Sequence, residues 1–186
     1  MQWGGGGTTM FDDAIPVSSS QADIWLAQQF MPAVPFSIAY FVDIVGAVDV
    51  DSLVACGSRA HREFSSSTMR VFEVDGTPMQ RFVAAETEAV EILDCRGHDR
   101  PEERARQWMN DDCRTPLSIY GQLVRLRVLR VEDDRVFWYT RAHHIALDGY
   151  ASMKVLECFY LLRNFIPDRR TFAVRRSGLV AGSPTE

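Results

Sequence analysis

The amino-acid sequence predicts an α/β fold, a mixed β-sheet with packed helices, on three observations. Stretches with helical spacing of apolar residues alternate with stretches of strand-like alternation. Asp75-Gly76, set between two strand-like runs, is a hairpin signal and calls for an antiparallel pair. The nearly continuous apolar run Val136-Phe137-Trp138-Tyr139 reads as a central strand covered on both faces. A length of 186 residues with 46% hydrophobic and 24% charged residues fits one globular domain and excludes a disordered or coiled-coil chain.

Residues 1–14 are expected to be a flexible leader, since Gly4 to Gly7 lose too much entropy on ordering. Ser18 followed by Gln21 is a capping-box pattern and starts a helix that runs to about Phe30, where Met31-Pro32 ends it. Ile38, Tyr40, Val42 and Ile44 alternate as a strand, which Gly46 breaks. Asp49 or Asp51 caps a second helix with the stripe Leu53, Gly57, Ala60 and Phe64. Ser65-Ser66-Ser67 is read as a loop, and Thr68 to Val74 and Pro78 to Ala84 as the arms of the hairpin. Glu91 to Leu93 is a short apolar stretch, and a charged helix follows from Pro101 to about Asp112. Leu123 to Val131 and Val136 to Tyr139 are strands joined by a turn at Asp133-Asp134. A last helix, Tyr150 to Leu162, carries Ala151, Val155, Phe159 and Leu162 on one face, and residues 163–186 are expected to be an unstructured or divergent tail.

The balance of charge narrows the function. A net charge of −5 argues against nucleic acid as a partner, because phosphate binding needs a basic face. The five arginines spread through the tail make only a weak basic patch. Cys56, Cys95, Cys113 and Cys158 are far apart without a C-x-x-C pair, so reduced thiols are expected rather than a metal site. The first residues lack a signal-peptide pattern, and no apolar run reaches membrane-spanning length, so a cytoplasmic protein without a membrane partner is expected. Trp25, Trp108 and Trp138 read as core, His61 as a packed or surface residue, and Asp111-Asp112 and Asp133-Asp134 as solvated loop charges.

One segment carries chemistry: Arg141-Ala142-His143-His144-Ile145-Ala146-Leu147-Asp148-Gly149, an H-H-x-x-x-D-G arrangement. A strong strand ends at the histidines and a turn follows, a place where side chains project into crevices. Histidine accepts or relays a proton near neutral pH. Asp148 can orient a ring nitrogen, hold the turn by pairing with Arg141 or Arg70, or simply cap the helix that follows. Adjacent strand histidines point to opposite faces and seldom share a metal ion, and no serine elbow, P-loop or G-x-G-x-x-G is present.

These residues resemble the condensation domain of nonribosomal peptide synthetases, within the chloramphenicol acetyltransferase-like acyltransferases. His143 to Gly149 matches that family's central motif at each fixed position. Ser18-Ser19-Ser20-Gln21-Ala22-Asp23-Ile24-Trp25 looks like its first motif, S-x-A-Q-x-x-x-W, with serine at position 20. Leu26 to Phe30, Gly46 to Val50 and Val74 to Pro78 also fit, and the likeness runs from about Ile15 to Leu162. The family's second motif, R-H-E-x-L-R-T-x-F, is poorly kept in Arg62 to Val71, and Arg70 is the candidate for the arginine that holds the motif aspartate.

The resemblance implies a chloramphenicol acetyltransferase-like half-domain over residues 15–162 and amide bond formation between acyl and aminoacyl thioesters. No cofactor is expected on the chain itself, because the phosphopantetheine arms belong to partner carrier proteins. In that picture His144 positions or deprotonates the attacking amine, His143 and Asp148 hold the loop, and Gly149 leaves room for the reacting centre. Two alternatives stay open: a stand-alone O-acyltransferase of the same superfamily, and an inactive remnant or carrier-docking module. The family domain has two similar halves with the substrate tunnel between them, and this chain corresponds to the first. The missing second half therefore implies an isolated chain that folds at best marginally and has little or no condensation activity, while the unpatterned tail after Asn164 leaves open a truncation, a frameshift or a fragment of a longer protein.

Overall fold

A computed structural model describes residues 13–83, 89–147 and 172–179. In chain order the elements are β1 (Ile15–Pro16), α1 (Ser19–Phe30), β2 (Ser37–Gly46), α2 (Val50–Glu63), α3 (Ser65–Thr68) and β3 (Met69–Val74). There follow β4 (Thr77–Phe82), β5 (Glu91–Asp94), α4 (Pro101–Arg114), β6 (Val124–Glu132), β7 (Arg135–His143) and β8 (Phe172–Leu179). One sheet has the order β5-β6-β7-β2-β8, and a smaller one the order β1-β4-β3. The larger sheet is mixed, as expected: β5 runs parallel to β6, while β6–β7, β7–β2 and β2–β8 are antiparallel.

Local chemistry sets the boundaries. The Ser18 side chain accepts from the Gln21 backbone N–H while the Gln21 side chain accepts from the Ser18 N–H, so both ends of the capping box close. Asp49, not Asp51, caps α2 by accepting from the N–H groups of Asp51 and Ser52. Pro101 opens α4, where its missing N–H costs nothing. Asp75 and Gly76 have φ of 49° and 78°, the left-handed pair that a tight two-residue hairpin demands.

Strand β7 is the axle of the core. Phe137 and Tyr139 point to one face, where they pack with Phe41 and Leu129 against Ala105, Met109 and Cys113 of α4. Val136 and Trp138 point to the other, against Leu53 of α2 with Val42 and Val128. Helices thus cover both faces of the sheet, which explains the unbroken apolar run in β7. At its start Arg135 donates to both carboxylate oxygens of Asp43 at 2.9 and 2.8 Å and to Glu102 at 2.7 Å. Its guanidinium also lies 5.2 Å from the centre of the Phe137 ring. Removing Arg135 would leave the buried carboxylate of Asp43 without its partner.

Three expectations need correction or delimitation. Ser65–Thr68 is a helical turn, because the Phe64 carbonyl accepts from the N–H groups of Ser67 and Thr68. The serine run suggests a loop on propensity alone, but Arg70 and Gln122 both donate to the Ser67 carbonyl and fix the turn. Within the tail, Phe172–Leu179 is a strand rather than unstructured chain, paired along β2 from Tyr40 to Gly46. Strand addition draws on backbone groups, so the free side of β2 recruits a segment whose side chains show little periodicity. The expected helix at 150–162 lies outside the described residues.

Gly57 tests the packing of this core. A Cβ at that position would overlap the Trp138 ring, which is fully buried. Gly57→Ala is expected to destabilise the chain by about 2 kcal/mol despite alanine's better helix propensity. Urea denaturation measures it, and a variant as stable as the parent would contradict the packing described.

Candidate active site

The two histidines have opposite environments. His143 ends β7 with no exposed surface, whereas His144 opens the following turn with its side chain in solvent. The backbone under them is held on both sides. The His143 N–H donates to the Leu123 carbonyl at 2.7 Å and the His144 N–H to the Phe36 carbonyl at 2.9 Å. The turn closes on itself, with the Ala146 N–H donating to the His143 carbonyl at 2.9 Å. Being one inside and one outside, the histidines do not converge on a shared ion.

Both ring nitrogens of His143 are occupied. Nδ1 lies 3.1 Å from the Ile145 N–H, which donates to it, and Nε2 lies 3.1 Å from Gln28 Oε1. Burial, followed by the nearby charges of His144 and Arg141, pushes the His143 pKa down to about 4. Buried and bonded at both nitrogens, the His143 ring is uncharged near neutral pH.

Helix α1 is the element that sequence reasoning undervalued. Gln21, besides its capping role, donates through Nε2 to the Ile145 carbonyl at 3.0 Å. Gln28 faces His143 and is 7% exposed. The two glutamines lie seven positions apart, two helical turns, and so share one face of α1. That polar spacing was the available signal. Ile24 and Trp25 of α1 complete the contact by packing with Met69, Val71, Leu123 and Ile145.

Asp148 and Gly149 lie outside the described residues, and with them any pairing of Asp148. Arg70 is 9% exposed and donates to Gln122 Oε1 at 2.6 Å and to the Met69 carbonyl at 2.8 Å. Gln122 in turn meets His61 Nε2 at 3.3 Å, and His61 is itself buried. Arg141 is 1% exposed and forms an ion pair with Asp112 at 3.1 Å, while also donating to the Thr115 carbonyl. Asp112 accepts from the Tyr139 hydroxyl at 2.8 Å as well. Asp112 is thus no solvated loop charge: it ties the end of α4 to β7 just before the histidines. A cleft of about 690 Å³ opens between β5 and α4, lined among others by Asp94, His98, Arg104 and Trp108. It shares no residue with the histidine turn or α1 and lends nothing to the chemistry there.

The fold and this site define a class, and comparison with known proteins agrees. The family model described as "Condensation domain" matches residues 12–159, and the chain belongs to that family. It is 29% identical over 136 residues to the dimodular nonribosomal peptide synthase of Bacillus subtilis (strain 168), covering 72% of this chain and 6% of that protein. It is 32% identical over 149 residues to the isonitrile lipopeptide synthase of Streptomyces coeruleorubidus, covering 77% of this chain and 10% of that protein. Among solved structures, the starter condensation domain of rhizomide synthetase RzmA superposes with a TM-score of 0.72 at 28% identity, over 77% of this chain and 35% of that one. The chain spans about a third of the length of such solved condensation domains.

The buried His143 gives the chain an acid-sensitive stability. Unfolded, its ring takes up a proton near 6.5, whereas folded it does so only near 4. Between those values the unfolded state binds more protons, so stability rises with pH. The contribution, on the order of 3 kcal/mol, is fully present above about pH 6.5 and is lost as pH falls toward about 4. Denaturation of the wild type and His143→Gln at several pH values measures the difference. Equal pH slopes for the two chains would contradict a buried neutral ring.

Proposed function

We propose that the chain is the histidine-bearing part of a condensation unit that joins carrier-bound acyl and aminoacyl thioesters through an amide bond. The carrying observation is the exposed His144 on a turn whose backbone is fixed from Phe36 and from within, beside a His143 whose nitrogens are both engaged. Only His144 of the pair is free to meet a substrate. In the proposed step the amine nitrogen attacks the thioester carbonyl, a C–N bond forms, the C–S bond breaks, and the thiol departs. His144 holds the amine and takes the proton it loses, which returns to the leaving sulfur. Asp148 and Gly149 complete the loop, Asp148 by steadying it and Gly149 by leaving space. The phosphopantetheine arms that present both groups belong to the carriers.

Two further points support this reading. A variant of the rhizomide starter domain has been solved in complex with C8-CoA and Leu-SNAC, an acyl and an aminoacyl thioester. The free thiols of Cys56 and Cys95 suit a reducing compartment, so the proposal extends to a cytoplasmic location. Among the described residues no helix is long and apolar enough to cross a membrane.

The test is a hybrid in which residues 13–179 replace the matching segment of a complete condensation domain, assayed with loaded donor and acceptor carriers. Amide product is expected from the hybrid, with a fall of about 10²- to 10⁴-fold on His144→Ala. Undiminished turnover by that variant would remove the histidine from the mechanism. Product with an alcohol acceptor but none with an amine would instead favour the O-acyltransferase reading.

A further inference from the structure

Gln28 is joined to His143 in a way that decides which nitrogen carries the proton. The Gln28 amide nitrogen lies 3.2 Å from the Met31 carbonyl, 3.4 Å from that of Pro32 and 3.5 Å from that of Val34. Carbonyl oxygens only accept, so the NH₂ end must face them and the oxygen must face the histidine. An amide oxygen also only accepts, so His143 Nε2 must donate across the 3.1 Å gap. At the other side of the ring the Ile145 N–H can only donate, so Nδ1 must be bare. Two independent partners, one on α1 and one in the turn, thus select the same tautomer.

We propose that Gln28 is a positioning residue for the proposed reaction, fixing His143 in the Nε2–H form so that its bare Nδ1 anchors the Ile145 N–H and with it the turn that presents His144. Gln28 touches no substrate and acts through His143. It also bonds the segment from Met31 to Val34, which leads into the Phe36 carbonyl that holds the His144 N–H. One side chain therefore secures the turn from two directions. Gln21 adds a third hold at the Ile145 carbonyl, from the same helix face. The charged groups facing His143 are Arg141 and His144, on its own strand and turn. Neither offers the ring an acceptor, which leaves that part to the Gln28 oxygen.

The inference rests on the reading of His144 as the working group for its functional meaning, but its structural content is tested separately. In the ¹⁵N-histidine-labelled chain, the His143 ring is expected to show a protonated Nε2 and an unprotonated Nδ1, assigned by comparison with His143→Gln. In Gln28→Leu, where the Ile145 N–H alone still selects the Nε2–H form, the ring is expected to lose its fixed position, with broadened ring signals and hydrogen exchange at the Ile145 amide at least about tenfold faster. Wild-type ring shifts and exchange in that variant would overturn the proposal. Gln28→Glu keeps the size and the acceptor and serves if the leucine variant does not fold. Its carboxylate still accepts from Nε2, so a ring protonated at Nε2 and bare at Nδ1 is expected to persist. A ring in that variant that carries its proton on Nδ1 would overturn the proposal too. Failure of the carrier assay with intact ring signatures would reject the function and leave the positioning in place.

Discussion

The neutral imidazole of His143, bonded at both nitrogens inside the protein, is the constraint on which the site depends. Burying a ring without partners would cost two unsatisfied polar atoms. Gln28 and the Ile145 N–H supply those partners, and their geometry converts a buried liability into a fixed turn. Because the turn is fixed, the next side chain, His144, is carried outward. A pair of adjacent histidines is thereby split into one buried, bonded ring and one exposed ring. The same environment that makes His143 a good support, with its pKa pushed down by burial, unfits it as a base in water near neutrality.

The rest of the fold holds that turn from three sides. Strand β7 delivers the histidines from a core packed on both faces, with Arg135 paired at its beginning and Arg141 paired near its end. Strand β2 runs antiparallel beside it with Ser37 opposite His143, so the chain entering β2 supplies the carbonyl that holds His144. Helix α1 closes the third side. Its exposed Leu26 and Phe30 show that it is not placed by burying a wide apolar face. Hydrogen bonds from Gln21 and Gln28, with Ile24 and Trp25 beneath, fix its position instead.

What could be read in the sequence was what depends on local pattern. The capping box at Ser18, the Asp75-Gly76 hairpin and the apolar run of β7 each have a short-range cause, and each stands where expected. The histidine motif was legible too, since its residue types are rare in that spacing. Other features depend on partners far away in the chain. Asp112 looks like any helix-end acid until Arg141, 29 positions on, and Tyr139 reach it. Gln28 reads as a polar helix residue until His143 comes within bonding distance. The strand at Phe172–Leu179 owes its form to the open side of β2, which no window around it reveals.

The division of the two histidines is the central claim, and chemical modification reads it directly in the folded chain. Diethyl pyrocarbonate acylates accessible unprotonated imidazole nitrogens, and mass spectrometry locates the adduct among the four histidines. Modification of His144, and of the exposed His98, is expected, while His143 and His61 stay unmodified until the chain unfolds. Modification of His143 in the folded chain as fast as His144 would contradict it.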